Sequence, residues 1–155
     1  MYFFSNKLKQ ETLLAELLKF NECKYLHQGL NYNACDCTGL PQLIYKKCGI
    51  IKKVLKSRYC KDWYKHSKES KIEQNIKLLD LEQNITIIPL KKNESLFFGD
   101  LLLLSYNSKI INHCGIYVGN NKFAHIAEHV NYEERKINPK LHKRIKKVMR
   151  AYYGL

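Results

Sequence analysis

Proline and glycine are sparse, at three and seven of 155 residues, and nowhere do they gather into a linker. Internal repeats are missing too, so the expectation is one domain over residues 1–155. No run approaches the roughly 20 apolar residues a spanning helix requires, which excludes an integral membrane protein built on such helices. The opening Met-Tyr-Phe-Phe-Ser-Asn-Lys lacks a basic segment ahead of its apolar residues and a long apolar core. It does not read as a secretory signal, so synthesis in the cytoplasm is expected, with action elsewhere needing another delivery route. Metal knuckles are missing among the six cysteines at 23, 35, 37, 48, 60 and 114. Cys35 and Cys37 are separated by one residue, a spacing that suits neither a zinc knuckle nor an unstrained bridge. The cysteines are read as reduced thiols packed as small apolar groups.

Acidic residues are scarce as well, 14 against 27 Lys and Arg, leaving a net charge of +13. The excess sits in residues 46–71 and 135–155, each with a net +8. For 46–71 and 135–150 three readings stand: a solvated basic face with no partner, an anionic envelope polymer, and nucleic acid, with the polymer favoured over nucleic acid if there is a partner. Lys, Ile and Asn fill 50 positions, which is also what an AT-rich gene would encode without any partner.

What is present is ample core material: 45% apolar and 12% aromatic residues exclude wholesale disorder. Residues 7–20 carry Leu13, Leu14, Leu17 and Leu18 at helical spacing. A second helix is expected over 36–48, with Leu40, Leu43, Ile44 and Lys47 on one face and Gly49 as its stop. Pro41 confines its start to the neighbourhood of 36–38, because proline suits only a first helical turn. Residues 52–70 suit an exposed excursion, and 72–81 a short helix. Five β-type runs follow, at 85–90, 100–105, 114–118, 122–127 and 148–153, with Gly119-Asn120-Asn121 as a hairpin signal. Helices first and an antiparallel meander second is an α+β arrangement.

Three segments carry the residue types of a nucleophilic hydrolase. Asp36-Cys37-Thr38-Gly39-Leu40 places a thiol at a helix start, where free N–H groups and the helix dipole favour a thiolate. The Cys37 N–H is also positioned to face an oxyanion. Asn112-His113-Cys114-Gly115 heads one strand, and Phe123-Ala124-His125 lies on the next. The two histidines are 12 residues apart with the turn midway, so a hairpin can set them side by side. His113 would then take the thiol proton while His125 orients its ring. His27, His66, His129 and His142 find no matched partner and are read as surface or satisfied residues.

Those segments resemble the motifs of the NlpC/P60 cysteine peptidases: Asp36-Cys37-Thr38-Gly39-Leu40 the nucleophile motif, Gly99-Asp100-Leu101 a strand opening, and His113 to Gly119 the histidine segment. His125 falls at the third polar position, and Tyr25 matches an upstream tyrosine associated with the oxyanion hole. The order is that of the unpermuted members. Tyr25-Leu26-His27-Gln28-Gly29, residues 59–63 and the basic, aromatic end also resemble the phage-type cell-wall peptidases.

The resemblance implies a papain-like fold with the nucleophile helix packed on an antiparallel sheet. It implies hydrolysis of an amide in peptidoglycan stem peptides, commonly D-γ-glutamyl–diaminopimelate, through a Cys37 thioester, with no metal or organic cofactor needed, at the cell wall if the protein is delivered there. Asp36 and Thr38 would contact the stem's free amino group. Thr38 stands where serine is commoner, and Pro41 where valine or threonine is usual. Two alternatives stay open: a basic binding or assembly module with an inactive triad, and an antibacterial effector amidase.

Overall fold

The computed structural model describes residues 1–56 and 59–154. Ser57 and Arg58, within the basic stretch 46–71, and Leu155 lie outside the described residues. Helix α1 (Lys7–Leu18) starts at Asn6, whose side-chain oxygen accepts from the N–H groups of Leu8 and Lys9 at 2.9 and 3.3 Å. Its inward stripe is narrower than the leucine pattern suggests. Leu13 and Leu17 are buried, whereas Leu14 and Leu18 stand 48% and 78% exposed.

A two-stranded parallel pair, β1 (Lys24–Tyr25) and β2 (Ala34–Cys35), leads into helix α2 (Gly39–Cys48). The helix begins at Gly39 rather than Asp36, because residues 36–38 form the capping turn. Pro41 then falls in the first turn, where its missing N–H costs nothing. Gly49 ends the helix in the left-handed region at φ 85°, as expected. Leu40, Ile44, Tyr45 and Cys48 face inward, and Lys47 is exposed instead of joining that face. The gap between helix and loop is too tight for a side chain at Gly39: an added Cβ would sit 2.7 Å from the Gly29 carbonyl oxygen.

Helix α3 (Lys71–Lys77) is shorter than the expected 72–81. The residues after it are drawn off to pair with the chain following α2, where Lys52 N–H donates to Asp80 O and Glu82 N–H to Ile50 O. The expected excursion over 52–70 is only partly exposed, since Trp63 is buried.

The remaining strands are β3 (Ile85–Pro89), β4 (Leu101–Leu104), β5 (His113–Gly119), β6 (Lys122–Ala127), β7 (Asn131–Lys136) and, after helix α4 (Pro139–His142), β8 (Ile145–Tyr153). They form one antiparallel sheet in the order β3-β8-β4-β5-β6-β7. Strand β7 has no counterpart in the expected set, because Asn-Tyr-Glu-Glu-Arg-Lys is an edge strand without apolar alternation. The run Leu101–Leu104 is apolar at every position because both faces of the sheet are covered. Leu101 and Leu103 pack toward α1 and α2, while Leu102 and Leu104 pack with Phe123, Ile137 and Leu141 on the other side.

Gly99-Asp100 closes the far end of this core. Gly99 has φ +88°, and a Cβ there would lie 2.1 Å from the Phe4 ring, so both backbone and space demand glycine. The Asp100 carboxylate takes both Nε and Nη2 of Arg150 at 2.8 Å, with both side chains buried. Arg150 is therefore a core residue and not part of a basic surface. Asp100→Ala leaves that guanidinium buried without its partner, and Arg150→Met strands the Asp100 carboxylate in the same way, so each is expected to lower stability by about 3–5 kcal/mol in urea unfolding, whereas replacing both partners together by apolar residues should cost less.

Candidate active site

The site is assembled at the head of β5 by three pieces of chain. The first is the turn before α2. The Asp36 carboxylate accepts from the N–H of Thr38 (3.1 Å), the N–H of Gly39 (2.8 Å) and the Thr38 hydroxyl (2.9 Å) through one oxygen. Its other oxygen accepts from the Gln28 N–H at 3.1 Å, which ties the 26–30 loop to the same turn. Cys37 is held between these contacts, and no acceptor among the described residues takes its N–H. The Cys114 thiol donates to the Cys37 carbonyl at 3.1 Å, fastening the turn one residue beyond His113.

The second piece is the β5–β6 hairpin. His113 and His125 meet edge to face, with His113 Nε2 and His125 Nδ1 2.7 Å apart. Both rings are nearly sealed from solvent. Burial first, and then the neighbouring His125, push His113 from its ordinary value near 6.5 down to about 3. His125 is also lowered by burial, though the carboxylate of Glu133 opposes the shift. The resting pair is thus neutral imidazoles, the protonation state required of a base.

The third piece is β7. Glu133 is directly opposite His125 in the β6–β7 register, and its carboxylate lies 2.8 Å from His125 Nε2. Glu133 was invisible to motif reading, because only strand pairing brings it to the histidine.

Cys37, His113, His125, Tyr25 and Asp36 line one open cleft of about 320 Å³. Thr38 does not line the cleft itself: its hydroxyl is given to Asp36, and its side chain lies by Tyr59, which does line it. Asp36, with its carboxylate consumed by the capping turn and only 5% exposed, acts here first as the group that shapes the turn. Tyr25 is half-buried on the wall, and burial raises its phenol to about 12, so it stays a donor at neutral pH. Tyr59, Lys61, Trp63, Tyr64 and Tyr106 also line the cleft, as does Arg135. Part of the 46–71 stretch is therefore cleft wall, and His27 is its brace, donating from Nε2 to the Tyr59 carbonyl at 2.9 Å. Among the described residues no group of three His, Cys, Asp or Glu side chains is gathered to hold a metal.

The model of the NlpC/P60 family matches residues 22–150, which contain every residue of this cleft. The chain belongs to the NlpC/P60 family. The fold recurs in a Staphylococcus aureus protein described as similar to lipoprotein, NLP/P60 family, with a TM-score of 0.58 at 19% identity over 96% of this chain. A Bacillus cereus NlpC/P60 family protein superposes with a TM-score of 0.61 at 18% identity over 90%. The NlpC/p60 domain of the peptidoglycan hydrolase SagA gives 0.51 at 14% identity over 94% of this chain and 98% of that one. The chain spans only 43% and 39% of the staphylococcal and bacillar chains. No curated protein matches it. Motif glycines of the family find their reasons here in the close approaches at Gly39 and Gly99.

Two buried neutral histidines make stability depend on pH. A histidine whose folded value is depressed stabilises the fold fully above its unfolded value near 6.5 and loses that contribution as pH falls. In a Cys37→Ala protein, urea unfolding is expected to weaken from about pH 6.5 downward, by up to roughly 1.4 kcal/mol per pH unit per histidine, with His113 contributing most. A His113→Asn partner should flatten that slope, and an unchanged slope would contradict the burial argument.

Proposed function

We propose that the chain is a peptidoglycan-directed cysteine endopeptidase that hydrolyses an amide in stem peptides, the D-γ-glutamyl–diaminopimelate bond being the leading candidate. The observation that carries this reading is the meeting of Cys37, His113 and His125 in one cleft of an NlpC/P60 fold, with the two imidazoles hydrogen-bonded at 2.7 Å. The SagA domain, described as belonging to a peptidoglycan hydrolase, supports the same substrate class.

His113 takes the Cys37 proton, and the thiolate attacks the carbonyl carbon. The oxyanion that forms is assigned to the Cys37 N–H and the Tyr25 phenol, both residues lining the cleft. As the tetrahedral intermediate collapses, the imidazolium of His113 gives its proton to the departing amine, leaving a thioester on Cys37. Water, deprotonated by His113, then attacks the thioester and restores the thiol. Lys61, Glu128 and Arg135 at the cleft wall supply both signs of charge for a peptide bearing carboxylates and an amine. Lys136, Lys140, Lys143 and Lys146 are exposed on the other basic segment and suit an anionic envelope polymer. Delivery from a phage tail or as an effector against another cell is compatible with the same chemistry.

Purified muropeptides incubated with the protein and read by mass spectrometry test the proposal and report the bond cut. Wild type should release stem-peptide fragments, and Cys37→Ala should release them at least about 1000-fold more slowly. Absence of fragments from wild type, or equal release by Cys37→Ala, would sink it. Salt-sensitive retention of DNA by a protein that releases no fragment would favour the binding module instead.

A further inference from the structure

The histidine pair can exist in two opposite proton arrangements, and only one of them makes His113 a base toward Cys37. Imidazole nitrogens each act as donor or acceptor according to tautomer, so a 2.7 Å contact between His113 Nε2 and His125 Nδ1 leaves the direction open. The far end of the chain removes that freedom. Glu133 offers an ionised carboxylate, which only accepts, 2.8 Å from His125 Nε2. His125 must then carry its proton on Nε2, so its Nδ1 is a bare acceptor. His113 must place its own proton on Nε2 to meet it, which leaves His113 Nδ1 unprotonated for the thiol. We infer that Glu133 is a positioning residue that fixes this order of protons and stabilises the imidazolium formed when His113 takes the Cys37 proton. The inference rests on the reading of Cys37 as nucleophile.

No proton travels the length of the chain. The proton of Cys37 moves to His113 Nδ1, His113 keeps its Nε2–H on His125, and His125 keeps its Nε2–H on Glu133. The negative charge of Glu133 acts through the His125 ring on the new positive charge. Arg135 Nη1, 3.7 Å from the same Glu133 oxygen, tempers that charge from the solvent side. The other groups facing the pair are Tyr106, whose ring is 5.4 Å from that of His113, Cys37 and Asp36 before α2, and Lys61 with Glu128 further along the cleft. None of these has a hydrogen bond to His125 among the described contacts, whereas Glu133 does.

Glu133 sits on an edge strand with its side chain one-third exposed, so Glu133→Ala and Glu133→Gln are both expected to fold, Glu133→Ala with a lowered thermal midpoint because His125 Nε2 loses its acceptor, and Glu133→Gln with little change. Nitrogen-15 NMR of the ring nitrogens in a Cys37→Ala background reads the tautomers directly. His113 and His125 should both be protonated on Nε2, and the added Glu133→Ala change should populate the Nδ1–H form of both rings. Glu133→Gln keeps an acceptor and should retain the original tautomers. In proteins with Cys37 intact, alkylation by iodoacetamide at pH 7 should slow about tenfold in Glu133→Ala, in step with a weaker thiolate–imidazolium pair. On muropeptides, kcat should fall about 10- to 100-fold with KM little changed, and the alkaline limb of the pH profile should move to lower pH. His113 protonated on Nδ1 with Glu133 present, or tautomers and alkylation rates indifferent to Glu133→Ala, would overturn the inference. Because the ring spectra and the alkylation need no substrate, they judge Glu133 even if the protein cuts no stem peptide.

Discussion

The Asp36 carboxylate is the contact on which the geometry of the site depends. Its four hydrogen bonds draw the 26–30 loop, the Cys37 turn and the first amide of α2 onto two oxygen atoms. A charged acceptor gathering three N–H groups and a hydroxyl in a nearly buried position is among the stronger local arrangements available to a loop. It explains why α2 starts at Gly39 and why Cys37 lies just outside the helix with its N–H unclaimed among the described residues, and by drawing the 26–30 loop close it brings the Gly29 carbonyl to where a Gly39 side chain would stand. The cost of burying Asp36 is offset only because every contact is present, so the turn is held as a unit.

A second buried acid does comparable work at the other end of the sheet. Asp100 holds Arg150 in a two-pronged pair, and that pair ties the entry of β4 to β8, its neighbour in the sheet. With β4 fixed, β5 and the hairpin that carries both histidines inherit a defined place relative to α2. The candidate cleft and the basic C-terminal segment thus share one sheet, and the net +8 of residues 135–155 divides into parts with different surroundings. Arg150 is structural, Arg135 belongs to the cleft, and the lysines between them face solvent.

Much of this was legible from local patterns. The hairpin at residues 119–121, the helix stop at Gly49 and the pairing of His113 with His125 follow from turn chemistry and strand period, which act over a few residues. Leu14 and Leu18 looked like core on periodicity alone, yet α1 has a neighbour on too narrow an arc to cover them. Strand β7 and the end of α3 went unread because both are decided by partners far along the chain: His125 and its neighbours for β7, and residues 50–52 for the segment after α3.

By itself, the order of residues determined which side chains could do chemistry: a thiol ahead of a helix, and two imidazoles on either side of a tight turn. It also determined the glycines that permit close approach, since those requirements are set by short stretches of backbone. Only the tertiary structure decided the state of those side chains. Burial makes the histidines neutral, pairing across β6 and β7 supplies Glu133, and the packing of residues 59–64 turns part of a basic stretch into cleft wall. Solvation and long-range strand register are properties of the assembled molecule, and no local pattern encodes them.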